Sequence, residues 1–209
     1  MQAKDLLILG TGCHAIEMAD MVDRINAHRS TWNLLGHLSL AGDPVPEHCG
    51  GRPVVGTGND LERFDDARLV CDNTWKELSP IPDSRLASLV DPSSVISSTA
   101  TVGPGCVIYP QAFIGHNTQL GRRVFMLAGS VINHDNVLED NVIVCSHVSL
   151  AGYVHVEADS YLGQACTVRQ GIRIGRNSLI GMGSVLIKDV QPDSVMIGSP
   201  ARRLRSRSD

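Results

Sequence analysis

The chain has no apolar run approaching the ~20 residues that a membrane-spanning helix requires. Its opening, MQAKDLLILG, places a charge ahead of a short strand-like run, without the layout of a secretory leader. A soluble, cytoplasmic protein is expected. Positive charge is not in excess either: 18 Lys and Arg against 22 Asp and Glu leave a formal net charge of −4. No global field therefore favours nucleic acid or an anionic membrane as a partner. The six cysteines, Cys13, Cys49, Cys71, Cys106, Cys145 and Cys166, form no CxxC and no tight pair. That argues against a zinc knuckle or a disulfide framework and predicts reduced thiols. Aromatics are also scarce, with two Trp, three Tyr and three Phe against 20 Gly. So few large rings fit a core that is narrow and repetitive, which makes repeats the first thing to look for.

What the chain has instead is a period of six. An aliphatic residue or Met stands at Val90, Ile96, Val102, Ile108, Ile114, Leu120, Met126, Ile132, Leu138, Val144, Leu150, Val156, Leu162, Val168, Ile174, Ile180 and Leu186. Four positions after each of the first 16, the residue is Ser, Thr, Ala, Cys or Val in 14 cases, Asn136 and Ile172 being the exceptions. Gly, Ala, Asp or Glu follows the aliphatic residue directly in ten of the 16. Six matches neither a helix at 3.6 nor a strand at 2, but it matches a solenoid whose coils have three flat sides of one hexapeptide each. The aliphatic residue points inward, the small residue four later fills the space beside it, and the Gly or small acid relaxes the corner. Residues three hexapeptides apart then stack, and 90–186 make slightly more than five coils.

Ahead of the repeat, Leu6 to Leu9 read as a buried strand, Gly10 and Gly12 as a turn, and the next residues as a helix with Ile16, Met18, Met21, Val22 and Ile25 on its apolar face. Such a turn offers backbone N–H groups and a positive helix end to a phosphate, although the glycines equally suit a tight turn alone. Dinucleotide binding is not expected: Leu38, Ser39 and Leu40 stand where an acid for the ribose belongs. The segment LSPIPDS reads as the connection. The expected organisation is a small α/β, Rossmann-like domain over 1–81 and a β-helix over 82–209, with coils 90–186 and an extended tail 187–209.

The hexapeptides and the closing segment GMGSVLIKDVQPDSVMIGSPARRL, with Gly198, Pro200 and Ala201 as its GxPA, resemble the left-handed parallel β-helix of the acetyl-CoA-dependent acetyltransferases. With the strand, glycine turn and helix in front, the chain is similar to the bacterial nucleotide-sugar acyltransferases of the bacillosamine, perosamine and sialic-acid-pathway types. Two motifs carry this: GTGCHA at Gly10 to Ala15, and SVINHDNVLEDNV at Ser130 to Val142. The resemblance implies a left-handed helix, a homotrimer, acetyl-CoA as co-substrate without a metal, and a nucleotide-linked amino sugar carried by UDP, GDP or dTDP. It also implies that His134 is the catalytic base. Asp135 beside it suits the orienting acid, since a carboxylate can stabilise an imidazolium. Spacing alone leaves His134 equally a solvated turn histidine. Gly152, one coil after His134, suits an oxyanion donor or a pantetheine contact. By resemblance, Gln164, Met182, Arg202 and Arg203 follow the coenzyme, while Gly10, Gly12, Cys13 and His14 meet the sugar nucleotide. His116, one coil before His134, is a substrate contact or a plain surface residue.

The chain also departs from that family. Cys13 stands where Gly is usual, Ile16 where Lys often follows, Leu127 where Asn is frequent and Ile143 where a second His is found. The last two changes, Leu127 and Ile143, make the groove more apolar and keep open an O-acyltransferase acting on a sugar or small alcohol. A β-helix carbonic anhydrase with three zinc-bound His is disfavoured, because His147 and His155 are eight apart and no pair has the short spacing. A scaffold without catalysis is the remaining alternative.

Overall fold

The computed structural model describes residues 3–42, 45–71 and 81–207. They form two compact units, Met1–Pro92 and Ser93–Asp209. The connection read from LSPIPDS lies partly outside the described residues, as do Asp43 and Pro44 of the second-strand loop. Leu86 bridges to Leu69 and packs in the core of the first unit.

The first unit is built on strands β1 (Lys4–Leu9), β2 (Trp32–Ser39), β3 (His48–Cys49), β4 (Arg52–Thr57) and β5 (Arg68–Cys71), in the order β3-β4-β2-β1-β5. The β1–β2, β1–β5 and β2–β4 pairs are parallel, and β3 runs antiparallel to β4. Leu6, Leu7, Ile8 and Leu9 are all fully buried, as expected of a central parallel strand covered on both faces. Between β1 and β2 runs α1 (Cys13–His28), which buries Ala15, Met18, Ala19, Met21 and Val22 at helical spacing. Ile16, expected on that apolar face, is 37% exposed. It lies one position off the buried stripe and covers Gly50, where an added Cβ would meet its Cγ2 at 2.8 Å. Among the described residues no helix is long and apolar enough to cross a membrane.

The second unit is a parallel β-solenoid of the left-handed type. Its short strands pair with those one coil away, as in Phe113↔Val131, Gln119↔Val137 and Phe125↔Ile143, and they generate three parallel sheets. Each repeat aliphatic from Ile108 to Leu186 is buried, while Ile96 and Val102 at the start are partly exposed. The small residues four later bond between coils: Ser130 Oγ donates to Cys145 O, as well as to Leu127 O of its own turn, and Thr118 Oγ1 to Asn133 O. Asn136, the polar exception, is fully buried; its side chain donates to Asn133 O and accepts from Val154 N–H.

The corners differ from the expectation in one respect. The left-handed residue lies three positions after the aliphatic residue, not one, and it is commonly Asn or Asp: Asn117, Asp135, Asn141, Asp159 and Asn177 have φ between 52° and 62°. These short polar side chains tolerate that region best among residues other than Gly. The glycine one position after the aliphatic residue is required by stacking instead. A Cβ at Gly103 would stand 2.2 Å from Gly121 O, and one at Gly163 would stand 2.5 Å from Ile180 O. The last coil is closed by strand Ser194–Gly198, parallel to Leu179–Ile180, and by strand Ala201–Ser206, antiparallel to Ser194–Gly198.

Candidate functional site

His134 and Asp135 occupy one corner of the solenoid, after strand Val131–Ile132. His134 Nδ1 lies 2.8 Å from Asp135 Oδ2, and the two side chains are 48% and 23% exposed. An ionised carboxylate only accepts, so the proton of this bond is carried by Nδ1. Asp135 is held below the usual carboxylate range, first by the hydrogen bond from Asn117 and then by that from His134. Asn117 Nδ2 reaches Asp135 Oδ1 at 2.8 Å, leaving Oδ2 to the imidazole. Buried Asn136, bonded to the coils on both sides through Thr118 and Val154, braces the corner from behind.

Gly152 lies against the His134 ring. An added Cβ would come within 2.5 Å of His134 Cε1 and 2.7 Å of Nε2, so any other residue would displace the ring. His116 stands one coil away with Nδ1 at 2.8 Å from Thr99 Oγ1, and no acid bonds it in the way Asp135 bonds His134. The residues absent from the sequence reading are Asn117 as a partner of the acid, Thr99, and Tyr153. The Tyr153 ring meets His134 edge-on at 5.2 Å and 85°. The signal was the step of one coil, which links Asp135 to both Asn117 and Tyr153.

A cavity of about 530 Å³ opens at a different corner, beside strands Tyr161–Leu162 and Leu179–Ile180. Gln164 and Met182 line it, and Met182 is 79% exposed. Leu127 lines it too, whereas Ile143 is half-buried on the adjoining sheet between Phe125 and Tyr161. The Tyr161 phenol is pushed up to about 12, first by its hydrogen bond with Cys145 and then by burial. Burial also raises the Cys145 thiol. Both groups stay neutral at physiological pH, giving the cavity an uncharged wall suited to an amide-and-methylene arm. Arg202 and Arg203 are exposed on the final strand, where Arg202 pairs with Ile197 of the cavity wall.

In the first unit Gly10 has φ 114° and donates its N–H to Leu38 O at 2.8 Å. Gly12 caps α1, whose first turn holds no acid and no side-chain cap. Cys13 is exposed, and His14 Nδ1 lies 3.1 Å from Glu17. His37, fully buried beneath the turn, has Nδ1 3.3 Å from Gly10 O, and burial lowers its pKa. A Cβ at Gly12 would meet nothing within 4 Å, so the space above the turn is open. Among the described residues no group of three His, Cys, Asp or Glu could hold a metal ion.

A hexapeptide solenoid with a His–Asp pair at one corner and an uncharged cavity at another has the build of the β-helix acyltransferases. The family model described as the GMPPB C-terminal domain matches residues 88–195, and the chain belongs to that family. Curated relatives include two acyl-[acyl-carrier-protein]–UDP-N-acetylglucosamine O-acyltransferases. The one from Synechocystis sp. is 32% identical over 42% of this chain and 32% of its own length. The one from Sinorhizobium fredii is 34% identical over 51% of this chain and 42% of its own length. The chain thus spans less than half the length of these relatives. Among solved structures, the acetyltransferase domain of PglB from Neisseria gonorrhoeae aligns with a TM-score of 0.84 at 21% identity, covering 96% of this chain and 100% of that one. PerB from Caulobacter crescentus, solved in complex with CoA and GDP-perosamine, aligns with a TM-score of 0.81 at 24% identity over 96% and 97%. At these identities the two structures share the fold with this chain.

Proposed function

We propose that the chain is an acetyl-CoA-dependent acetyltransferase acting on the amino group of a nucleotide-linked amino sugar. The observation that carries this reading is the His134–Asp135 pair, with Nε2 directed outward over a glycine. Neutral His134 accepts the amine proton at Nε2 as the nitrogen attacks the thioester carbonyl, and Asp135 stabilises the imidazolium that forms. The Gly152 N–H donates to the developing oxyanion. Collapse of the tetrahedral intermediate breaks the C–S bond, and the sulfur leaves as the coenzyme thiolate, which takes up the proton.

Gln164 and Met182 guide the pantetheine arm, and Arg202 and Arg203 meet its phosphates. The proposed base and the cavity stand at different corners of one solenoid, so the reading calls for a homotrimer in which one copy's cavity faces another's base. Val95, Phe113 and Val131, paired along one sheet and 59%, 40% and 37% exposed, give such an assembly an apolar face. Gly10, Gly12, Cys13 and His14 hold the diphosphate of a UDP, GDP or dTDP sugar at the N-terminal end of α1, and His116 is a further substrate contact. O-acyl transfer to a sugar or small alcohol is the second reading, favoured by Leu127 in the cavity wall.

The test is His134→Asn in the full chain, assayed with acetyl-CoA and a panel of UDP-, GDP- and dTDP-linked amino and hydroxy sugars. Turnover is expected to fall by roughly 10²- to 10⁴-fold. Near-native turnover would remove His134 from the chemistry, and activity on hydroxy sugars alone would select the second reading.

A further inference from the structure

We infer that Tyr153 is a positioning residue for the proposed base, clamping the His134 imidazole and the Asp135 carboxylate from the following coil. The inference rests on the reading of His134 as base. Tyr153 meets the imidazole directly, its ring edge-on at 5.2 Å, and its side chain adds, after Asn117 and His134, to the interactions that hold the Asp135 carboxyl low. Its backbone N–H also donates to His134 O at 3.2 Å. Asn117 takes the other carboxylate oxygen from the preceding coil. The acid is thus fixed from the preceding coil and the imidazole from the following one. The imidazole meets an aromatic edge on one side and the Gly152 backbone on another, which restricts ring rotation.

The residue is also conspicuous in its setting. The chain has three Tyr, and this one is 56% exposed at a corner with φ 59°. Large side chains rarely adopt that region, and the cost is sustained where surrounding contacts fix the conformation. Asn or Asp holds this corner at positions 117, 135, 141, 159 and 177, and Gln111, Arg123, His147 and Ala165 hold it elsewhere, so the backbone does not itself call for a Tyr. The titratable side chains in the three stacked turns 115–118, 133–136 and 151–154 are His116, His134, Asp135 and Tyr153. His116 is engaged by Thr99.

Two variants of the full chain separate the ring from the hydroxyl. Tyr153→Asn accepts the left-handed backbone but removes the ring, and kcat should fall by roughly 10²-fold through misplacement of the base. Tyr153→Phe keeps the ring and should recover most of that loss, remaining several-fold below the native kcat. KM for acetyl-CoA and acceptor should stay within about twofold in both, as expected of a residue that acts on the base and not on binding. A measurement independent of turnover is ¹³C NMR titration of the Asp135 carboxyl. Loss of the Tyr153 hydroxyl removes one of the interactions that hold the carboxyl low, so its midpoint should rise toward the ordinary Asp value. Native kcat in both variants, or an unmoved Asp135 titration in Tyr153→Phe, overturns the inference. If His134→Asn keeps native turnover while the Asp135 titration moves, the clamp stands and the base assignment falls, so the two failures are told apart.

Discussion

The two units bury their apolar residues in different ways. In the first, Leu7, Leu9, Leu38, Leu69 and Cys71 form one cluster in which β1, β2 and β5 all take part. In the second, each coil contributes its own aliphatic residues, and its strands pair only with those of the coils directly before and after. A perturbation in the first unit is shared by the whole sheet, whereas one in the solenoid reaches the adjoining coils and stops. The difference matters for chemistry, because a site on a solenoid can be altered without unfolding its scaffold.

Gly152→Val puts the contrast to its sharpest test. The nearest atoms to the new Cβ belong to the end of the His134 side chain, so the ring moves and the coil survives. We expect kcat to fall by about 10²-fold or more with little change in Tm, read from steady-state kinetics and calorimetry on the same preparation. A variant that unfolds before it loses activity would break the comparison.

Leu7→Ala acts on the other side. It deletes a fully buried side chain from the central strand, which should cost about 2–5 kcal/mol. Hydrogen exchange should accelerate together across β1, β2 and β5. Faster exchange confined to β1 would mean that the first unit is as modular as the second.

The smallest effect is expected at Glu157, which receives the Arg176 backbone N–H at 2.8 Å and Arg173 Nε at 2.6 Å from the next coil. Its carboxyl is held below the usual range, chiefly by the Arg176 backbone hydrogen bond. That contribution to stability is full above the ordinary Glu value and is lost as pH falls through the lowered one. Glu157→Gln should cost roughly 1–2 kcal/mol at neutral pH, and the gap from the native protein should shrink on acidification. A gap independent of pH would show that the charge is irrelevant to this coil junction.

The solenoid was legible in the sequence because its period is a covalent fact: equal spacing puts Ile132 over Ile114, and Leu150 over Ile132, whatever else the chain does. His134 was singled out by the resemblance of its segment to the acyltransferases, with Asp135 beside it, and the step of one coil led from it to Gly152. Two things did not follow. The glycines of the repeat suggested a relaxed corner, whereas their role is to let backbones of neighbouring coils approach, and only a three-dimensional neighbour reveals that. Tyr153 was overlooked because the step from coil to coil was followed from the histidine and not from its acid. In the first unit, periodicity identified α1 but set its buried stripe one residue too wide, at Ile16, since a short helix can turn slightly without changing its pattern.

The strand Ala201–Ser206 forms the outer margin of its sheet, antiparallel to a strand that is itself parallel to the coils. A stack of identical coils is a template onto which another molecule's coils can add, and an unprotected end invites filament growth. The reversal of direction breaks the hydrogen-bond pattern that an incoming coil would have to match. Arg202, Arg203 and Arg205, exposed along the same strand, would bring like charges together if two such ends met. The arginines proposed to meet the coenzyme phosphates would thus also oppose end-to-end association, and replacing them tests solubility as much as affinity.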